Sequence, residues 1–188
     1  MQPHTTPSVS KKVSTTVLTY SAICIALAVV LNQLSLYRLP WGGSVTPMSM
    51  FFITLIGYLF GFKIAIMGGV VMGLMNLALG GFVFHPAQVL LDYPLAFGAL
   101  GVSGFFRQGR YSLHIGFVAG ALARWFFHFL SGWLFFYIWA PAGWNYLVYS
   151  AVYNIAYIGV EMVLTLVVLS LPVTVTAIER VKRQAVKA

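Results

Sequence analysis

Three ionisable side chains lie inside long apolar stretches: Asp92, Arg124 and Glu161. Charge in hydrocarbon is costly, so such residues face a cavity or one another, and they mark binding sites or ion pairs. Asp92 stands in "HPAQVLLDYPLAFG", residues 85–98. Gln88, Asp92 and Ala96 fall at i, i+4 and i+8, on one face of a helix. Pro94 has no amide hydrogen, so the carbonyl of Leu90 loses its usual helical donor. A freed carbonyl near a carboxylate makes a polar notch, about two turns below His85 at ~1.5 Å per residue. Arg124, His128 and Gly132 share a face, with Ser131 beside them. An imidazole there donates, accepts or carries charge as its surroundings require. Ser150, Asn154, Tyr157 and Glu161 form one stripe, flanked by Tyr149 and Tyr153. The Asn154 amide offers a donor and an acceptor to the edge of a heterocycle. The competing role for these groups is structural: an ion pair, a core histidine, or polar glue between helices worth under ~1 kcal/mol per contact.

Two carboxylates and one guanidinium, with His128 neutral, sum to −1 within the apolar runs. A buried charge needs a match. A cationic ligand supplies one, and tryptophan and tyrosine faces add cation–π attraction. The residues point to a small, aromatic, cationic solute held among the fourth, fifth and sixth apolar segments.

Those side chains need elements to carry them. The chain is 60% hydrophobic and only 7% charged, against roughly 25% charged in soluble domains. An ordinary soluble globule is excluded. The expected fold class is an all-α membrane protein, a bundle of six transmembrane helices. The spans are placed at Thr16–Leu34, Pro47–Gly61, Lys63–Leu79, Pro86–Phe106, Leu113–Trp139 and Tyr146–Thr176. The second is short, tilted or partly re-entrant, and "FGFKIA" leaves no room for a free loop after it. Residues 1–15 and the basic residues 177–188 are expected as cytoplasmic tails around a bundle of residues 16–176. The first apolar run lacks a small-x-small cleavage site and is followed by more spans, so it is expected to stay as a helix.

The net charge of +8 reports topology here, not nucleic acid. Lys11, Lys12, Lys63, Arg107, Arg110, Arg180, Lys182, Arg183 and Lys187 fall on one side, and Arg38 alone on the other. The positive-inside rule makes both termini cytoplasmic. The outer loops, 35–46, 80–85 and 140–145, hold Tyr37, Trp41, Phe82, Phe84 and Trp144. These form either an interfacial aromatic belt or the lining of a site that opens outward, and their scarcity on the inner side favours the site. Small residues four apart, Ala22/Ala26, Gly57/Gly61, Gly69/Gly73 and Gly116/Gly120, let helices approach closely. Ala22/Ala26 serves either internal packing or a partner.

Several activities are absent by motif. No phosphate-binding G-x-x-x-x-G-K-[ST], H-E-x-x-H or paired-cysteine pattern occurs. Cys24, the single cysteine, forms no internal disulfide and reads as a core residue. His128 and Ser131 lack a G-x-S-x-G elbow. The expectation is no enzyme and no metal. No internal repeat is visible, which weighs against an inverted-repeat secondary carrier.

At "GGSVTPMSM", "HPAQVLLDYPLAFGALGVSG", "RWFFHFLSG" and "YSAVYN" the chain resembles the thiamine-specific substrate-binding component of energy-coupling factor vitamin transporters. The resemblance covers about residues 22–161. It implies a six-helix bundle in the bacterial plasma membrane that binds thiamine from outside with high affinity. It further implies a membrane coupling protein and two ATPase subunits as partners, with ATP used by those subunits and no cofactor in this chain. Carried over residue by residue, it places Trp41 as a lid, Asp92 and Tyr93 as the acid–tyrosine pair, and Arg124 and His128 on the fifth helix. Tyr149 and Asn154 follow at the head of the sixth. A tryptophan that some relatives carry eight residues after the histidine is Phe136 here, with Trp133 or Trp139 as its expected substitute. Glu161 is expected either to pair with Arg124 or to join the ligand set. Ala22 and Ala26 match the family's docking motif. Other vitamins or precursors, riboflavin or hydroxymethylpyrimidine, remain alternatives within the class, and an intramembrane enzyme or a solitary carrier outside it.

Overall fold

The structure is a computed structural model that describes residues 14–187, without the side chains of Trp41, Val186 and Lys187. Lys11, Lys12 and the rest of the N-terminal tail through residue 13 lie outside the described residues. The elements are α1 (Thr15–Gln33), α2 (Ser49–Phe60), α3 (Phe62–Ala78), a composite α4, α5 (Ser112–Phe135), α6 (Tyr146–Leu169) and α7 (Pro172–Lys187). A two-stranded hairpin, β1 (Tyr37–Arg38) and β2 (Ser44–Val45), joins α1 to α2 through a 3₁₀ turn at Pro40–Gly42.

α1, α5 and α6 are each long and apolar enough to cross a bilayer. Their outer faces carry exposed Leu18, Ile23, Val30, Ile115, Phe126, Val160 and Val167. An apolar exterior of this extent suits lipid. α2 is different. At 12 residues and ~1.5 Å per residue it spans about 18 Å, well under the ~30 Å hydrocarbon core. Ten of those residues are buried, so protein surrounds it instead of lipid. This short, central helix is the second span anticipated from the sequence. It turns directly into α3 at Gly61, where φ is +92°, a conformation glycine adopts without strain.

α4 begins as an α-turn (Pro86–Leu90), widens into a π-turn (Leu91–Leu95), resumes as Ala96–Ala99 and tightens into 3₁₀ turns (Leu100–Phe105). Its start is a capping box: His85 Nδ1 accepts from the Ala87 amide at 3.1 Å, and Gln88 Oε1 accepts from the Phe84 and His85 amides. The π-turn contains Pro94, which cannot supply an α-helical hydrogen bond. The Ala96 amide bonds to the Leu91 carbonyl across the widened turn. α3 presses on this irregular stretch. A Cβ at Gly73 would run into the Tyr93 carbonyl, and one at Gly69 into the Phe97 carbonyl. Gly57, Gly116 and Gly120 likewise face the 3₁₀ part of α4. The glycine pairs therefore pack the bundle, whereas Ala22 and Ala26 are exposed on α1.

The sixth helix ends earlier than its hydropathy implies. α6 stops at Leu169 and α7 starts at Pro172, because a proline in mid-helix lacks a donor and clashes with the preceding turn. Residues 177–187, expected as a tail, belong to α7, which folds beneath the bundle with Ile178 and Ala185 buried. There the Tyr58 hydroxyl donates to Glu179 at 2.8 Å. Lys182 lies 3.8 Å over the Tyr58 ring and donates to the Arg107 carbonyl at 3.2 Å. Arg107 Nη2 donates to the Leu59 carbonyl at 2.7 Å. Burial pulls the Lys182 pKa below the ordinary lysine value, with Glu179 opposing the shift.

Candidate functional site

The outer halves of α1, α3, α4, α5 and α6 enclose a cavity of about 280 Å³, roofed by the β1–β2 hairpin and the segment around Gly80–Phe82. Its size is near the lower end for small-molecule sites. Asp92, Tyr93, Arg124, His128, Tyr149 and Asn154, all proposed from sequence, line it together.

The wall between α4 and α5 is a relay of hydrogen bonds. Arg124 Nε donates to His128 Nε2 at 3.3 Å. His128 Nδ1 lies 2.9 Å from Asp92 Oδ1. Because Nε2 accepts, the ring proton of a neutral imidazole sits on Nδ1 and is donated to the carboxylate. Gln88 Nε2 donates to the other oxygen, Asp92 Oδ2, at 2.7 Å. Gln88 and Asp92 meet as their i, i+4 spacing predicted. Arg124 is buried, its guanidinium 4.2 Å over the Phe97 ring. Asp92 remains 14% exposed, and that exposure faces the cavity it lines.

The wall from α6 is aromatic. Tyr149, Tyr153 and Tyr157 follow each other at centroid distances of 5.9 and 6.0 Å, and Tyr157 meets the His128 ring edge-on at 6.1 Å. The Tyr153 hydroxyl accepts from the Gly43 amide at 3.1 Å and donates to the Pro40 carbonyl, clasping the hairpin to α6. Asn154 Nδ2 donates to the carbonyls of His128 and Ser150, and Oδ1 accepts from the Tyr157 hydroxyl at 2.9 Å. This amide ties α5 to α6 and keeps one lone pair on Oδ1.

Three site assignments from the sequence are corrected. Glu161 does not line the cavity and does not pair with Arg124. It accepts from the hydroxyls of Thr46 (2.5 Å) and Ser49 (3.0 Å) and from the Met50 amide (2.9 Å). It thereby caps α2 from across the bundle. The N-cap residue, Met48, has no capping side chain and sits at φ +62°. The Glu161 charge counted from the sequence is thus met by three hydrogen-bond donors at the N-terminus of α2, while Asp92 is linked to Arg124 through His128. Trp133 is 41% exposed and lies outside the described lining. Its i+5 spacing from His128 turns it off the cavity face. Trp139 is also outside the lining, packed on Phe136 and Phe84 at 5.2 and 5.4 Å. Phe136 itself lines the cavity. Trp41 sits in the hairpin turn, and its side chain lies outside what the structure describes.

The sequence reading missed one polar end of the cavity. Asn32 Nδ2 and Gln33 Nε2 donate to Asn76 Oδ1 at 2.6 and 3.2 Å, and all three line the wall formed by α1 and α3. The signal was available: amides inside apolar spans seek polar partners or a cavity.

Comparisons with known proteins agree with this architecture. The family described as "Thiamine transporter protein (Thia_YuaJ)" matches residues 18–180. Thiamine transporter ThiT of Bacillus subtilis (strain 168) is 36% identical over 166 residues, 80% of this chain and 86% of that protein. Thiamine transporter ThiT of Lacticaseibacillus paracasei is 35% identical over 124 residues, 57% of this chain and 62% of that protein. A solved structure of ThiT from Listeria monocytogenes shares the fold, with a TM-score of 0.63 at 21% identity over 92% of this chain and 94% of that one.

Proposed function

Since the chain belongs to the thiamine transporter protein family, we propose that its cavity binds thiamine from outside the cell and that it serves as the substrate-binding component of an energy-coupling factor transporter. It is a multi-pass bacterial membrane protein and a transporter, not an enzyme. The observation that carries the ligand assignment is Asp92, a carboxylate oriented by Gln88 and His128 in the wall of an outward cavity. The aminopyrimidine amine donates to this carboxylate. The thiazolium lies against the tyrosine ladder and Phe136, where aromatic faces attract a cation. Titrating the intrinsic tryptophan fluorescence of the purified chain with a vitamin panel tests this. Saturable change with thiamine alone is expected, and a response to riboflavin or hydroxymethylpyrimidine instead reassigns the ligand.

The corrected aromatic wall makes its own prediction. Phe136→Ala weakens thiamine binding about tenfold, the worth of one good aromatic contact. Trp133→Phe leaves it within about twofold, since an exposed ring contributes little there. Equal losses in the two titrations would return Trp133 to the site.

The proposed partners are a membrane coupling protein and two ATPase subunits, which consume the ATP, and this chain needs no cofactor. The support is the exposed small-residue stripe of Ala22 and Ala26 between apolar Leu18, Ile23 and Val30 on α1. Ala26→Trp fills that stripe. It is expected to leave binding by the purified chain within about twofold and to cut cellular thiamine uptake at least about tenfold, because close helix packing does not tolerate bulk. Normal uptake by the variant would move the docking face elsewhere.

A further inference from the structure

Among the described residues, four buried side-chain atoms lack a hydrogen-bond partner: Ser21 Oγ, His114 Nδ1, Ser131 Oγ and Thr165 Oγ1. Of these residues only Ser131 lines the cavity. It is 1% exposed and sits on α5 one turn beyond His128. Buried polar groups in native proteins are almost always paired, and a helical serine can bond the carbonyl four residues back. Ser131 does neither. The buried polar groups around it are engaged. Both ring nitrogens of His128 are occupied by Arg124 and Asp92. The Ser150 hydroxyl donates to the Phe129 carbonyl at 2.7 Å, and Asn154 bridges α5 and α6. Next in sequence is Gly132, where a Cβ would collide with Ser150 Oγ. α5 and α6 are in close contact at this level.

We propose that the Ser131 hydroxyl is a ligand-binding group held unpaired for the polar edge of the heteroaromatic ring whose amine Asp92 accepts. This rests on the assignment of a heteroaromatic ligand made above and adds a specificity-determining residue to it. A hydroxyl both donates and accepts, so it suits a ring nitrogen next to an exocyclic amine, an edge that presents both characters.

Ser131→Ala tests the idea because the unliganded protein loses no bond by it. Two readouts are taken on the purified chain: thiamine affinity by tryptophan fluorescence, and the melting temperature without ligand. The expected result is an affinity loss of about tenfold, one hydrogen bond, with the unliganded melting temperature unchanged or raised. Ser131→Cys, a weaker donor of similar shape, is expected to fall between alanine and wild type. Wild-type affinity in Ser131→Ala overturns the proposal. So does a fall in unliganded melting temperature that tracks the affinity loss, since that marks a structural hydroxyl. A wild-type chain that binds no thiamine overturns the ligand assignment as well, whereas wild-type binding with an indifferent Ser131→Ala overturns this residue alone.

Discussion

Asp92→Asn lowers thiamine affinity by at least about a hundredfold, because a hydrogen bond to a charged group is worth ~1.5–3 kcal/mol and a desolvated charge pair ~2–5 kcal/mol. The substitution is nearly isosteric, and Asn Oδ1 still accepts from His128 Nδ1. The Gln88 amide, now opposite an amide nitrogen, loses this one bond, because turning it over would break its own bonds with Phe84, His85 and Phe82. The wall therefore keeps its shape and loses its charge. The unliganded protein is expected to melt a few degrees lower for the lost Gln88 bond and the removed counter-charge of Arg124, and the roughly hundredfold loss in the fluorescence titration far exceeds that change. A variant that saturates at wild-type thiamine concentrations would remove Asp92 from the ligand set and leave the relay as a purely structural ion bridge.

Glu161→Ala has the largest expected effect on stability. It strands the buried Met50 amide, removes the carboxylate that the Thr46 and Ser49 hydroxyls share, leaving them only each other and Asn32, and uncaps α2, whose preceding residue Met48 offers no side-chain acceptor. Each lost hydrogen bond to a charged group is worth ~1.5–3 kcal/mol, so the expected drop in melting temperature is roughly 10 °C for a chain of this size. Glu161→Gln keeps one acceptor oxygen and loses less. Added thiamine should still raise the melting temperature of either variant, because the ligand stabilises whatever folded state it binds. If Glu161→Ala melts like wild type and fails to bind thiamine, the sequence assignment of Glu161 to the ligand was right and the capping role is wrong.

The contrast between Asp92 and Glu161 shows where sequence reasoning reaches its limit. Asp92, His128, Arg124 and the α6 stripe were legible because helix periodicity alone puts Gln88 under Asp92 and Arg124 under His128. The first six of the seven helices were legible from hydropathy. Glu161 lay in the predicted stripe and is buried with it, yet its partners sit 111–115 residues away. One of them is a main-chain amide, a donor that no side-chain pattern reveals. The Trp133 and Trp139 assignments failed for a simpler reason. Trp133 stands about 140° around α5 from His128, and Trp139 lies past the end of α5 at Phe135, in a 3₁₀ turn where helical phase no longer holds. The break before Pro172 was visible in the residue itself and was overrun by the continuous hydropathy of "LTLVVLSLPVTV".

The belt of Tyr58, Arg107, Glu179 and Lys182 ties α7 across the other end of the bundle, and none of the four lines the cavity. A container with a single mouth comes to equilibrium with the medium it faces. Its occupancy follows a saturation curve, and it builds no gradient however tightly it holds its cargo. In the proposed energy-coupled role, discharging each molecule therefore falls to the partner subunits, acting on the vessel as a whole.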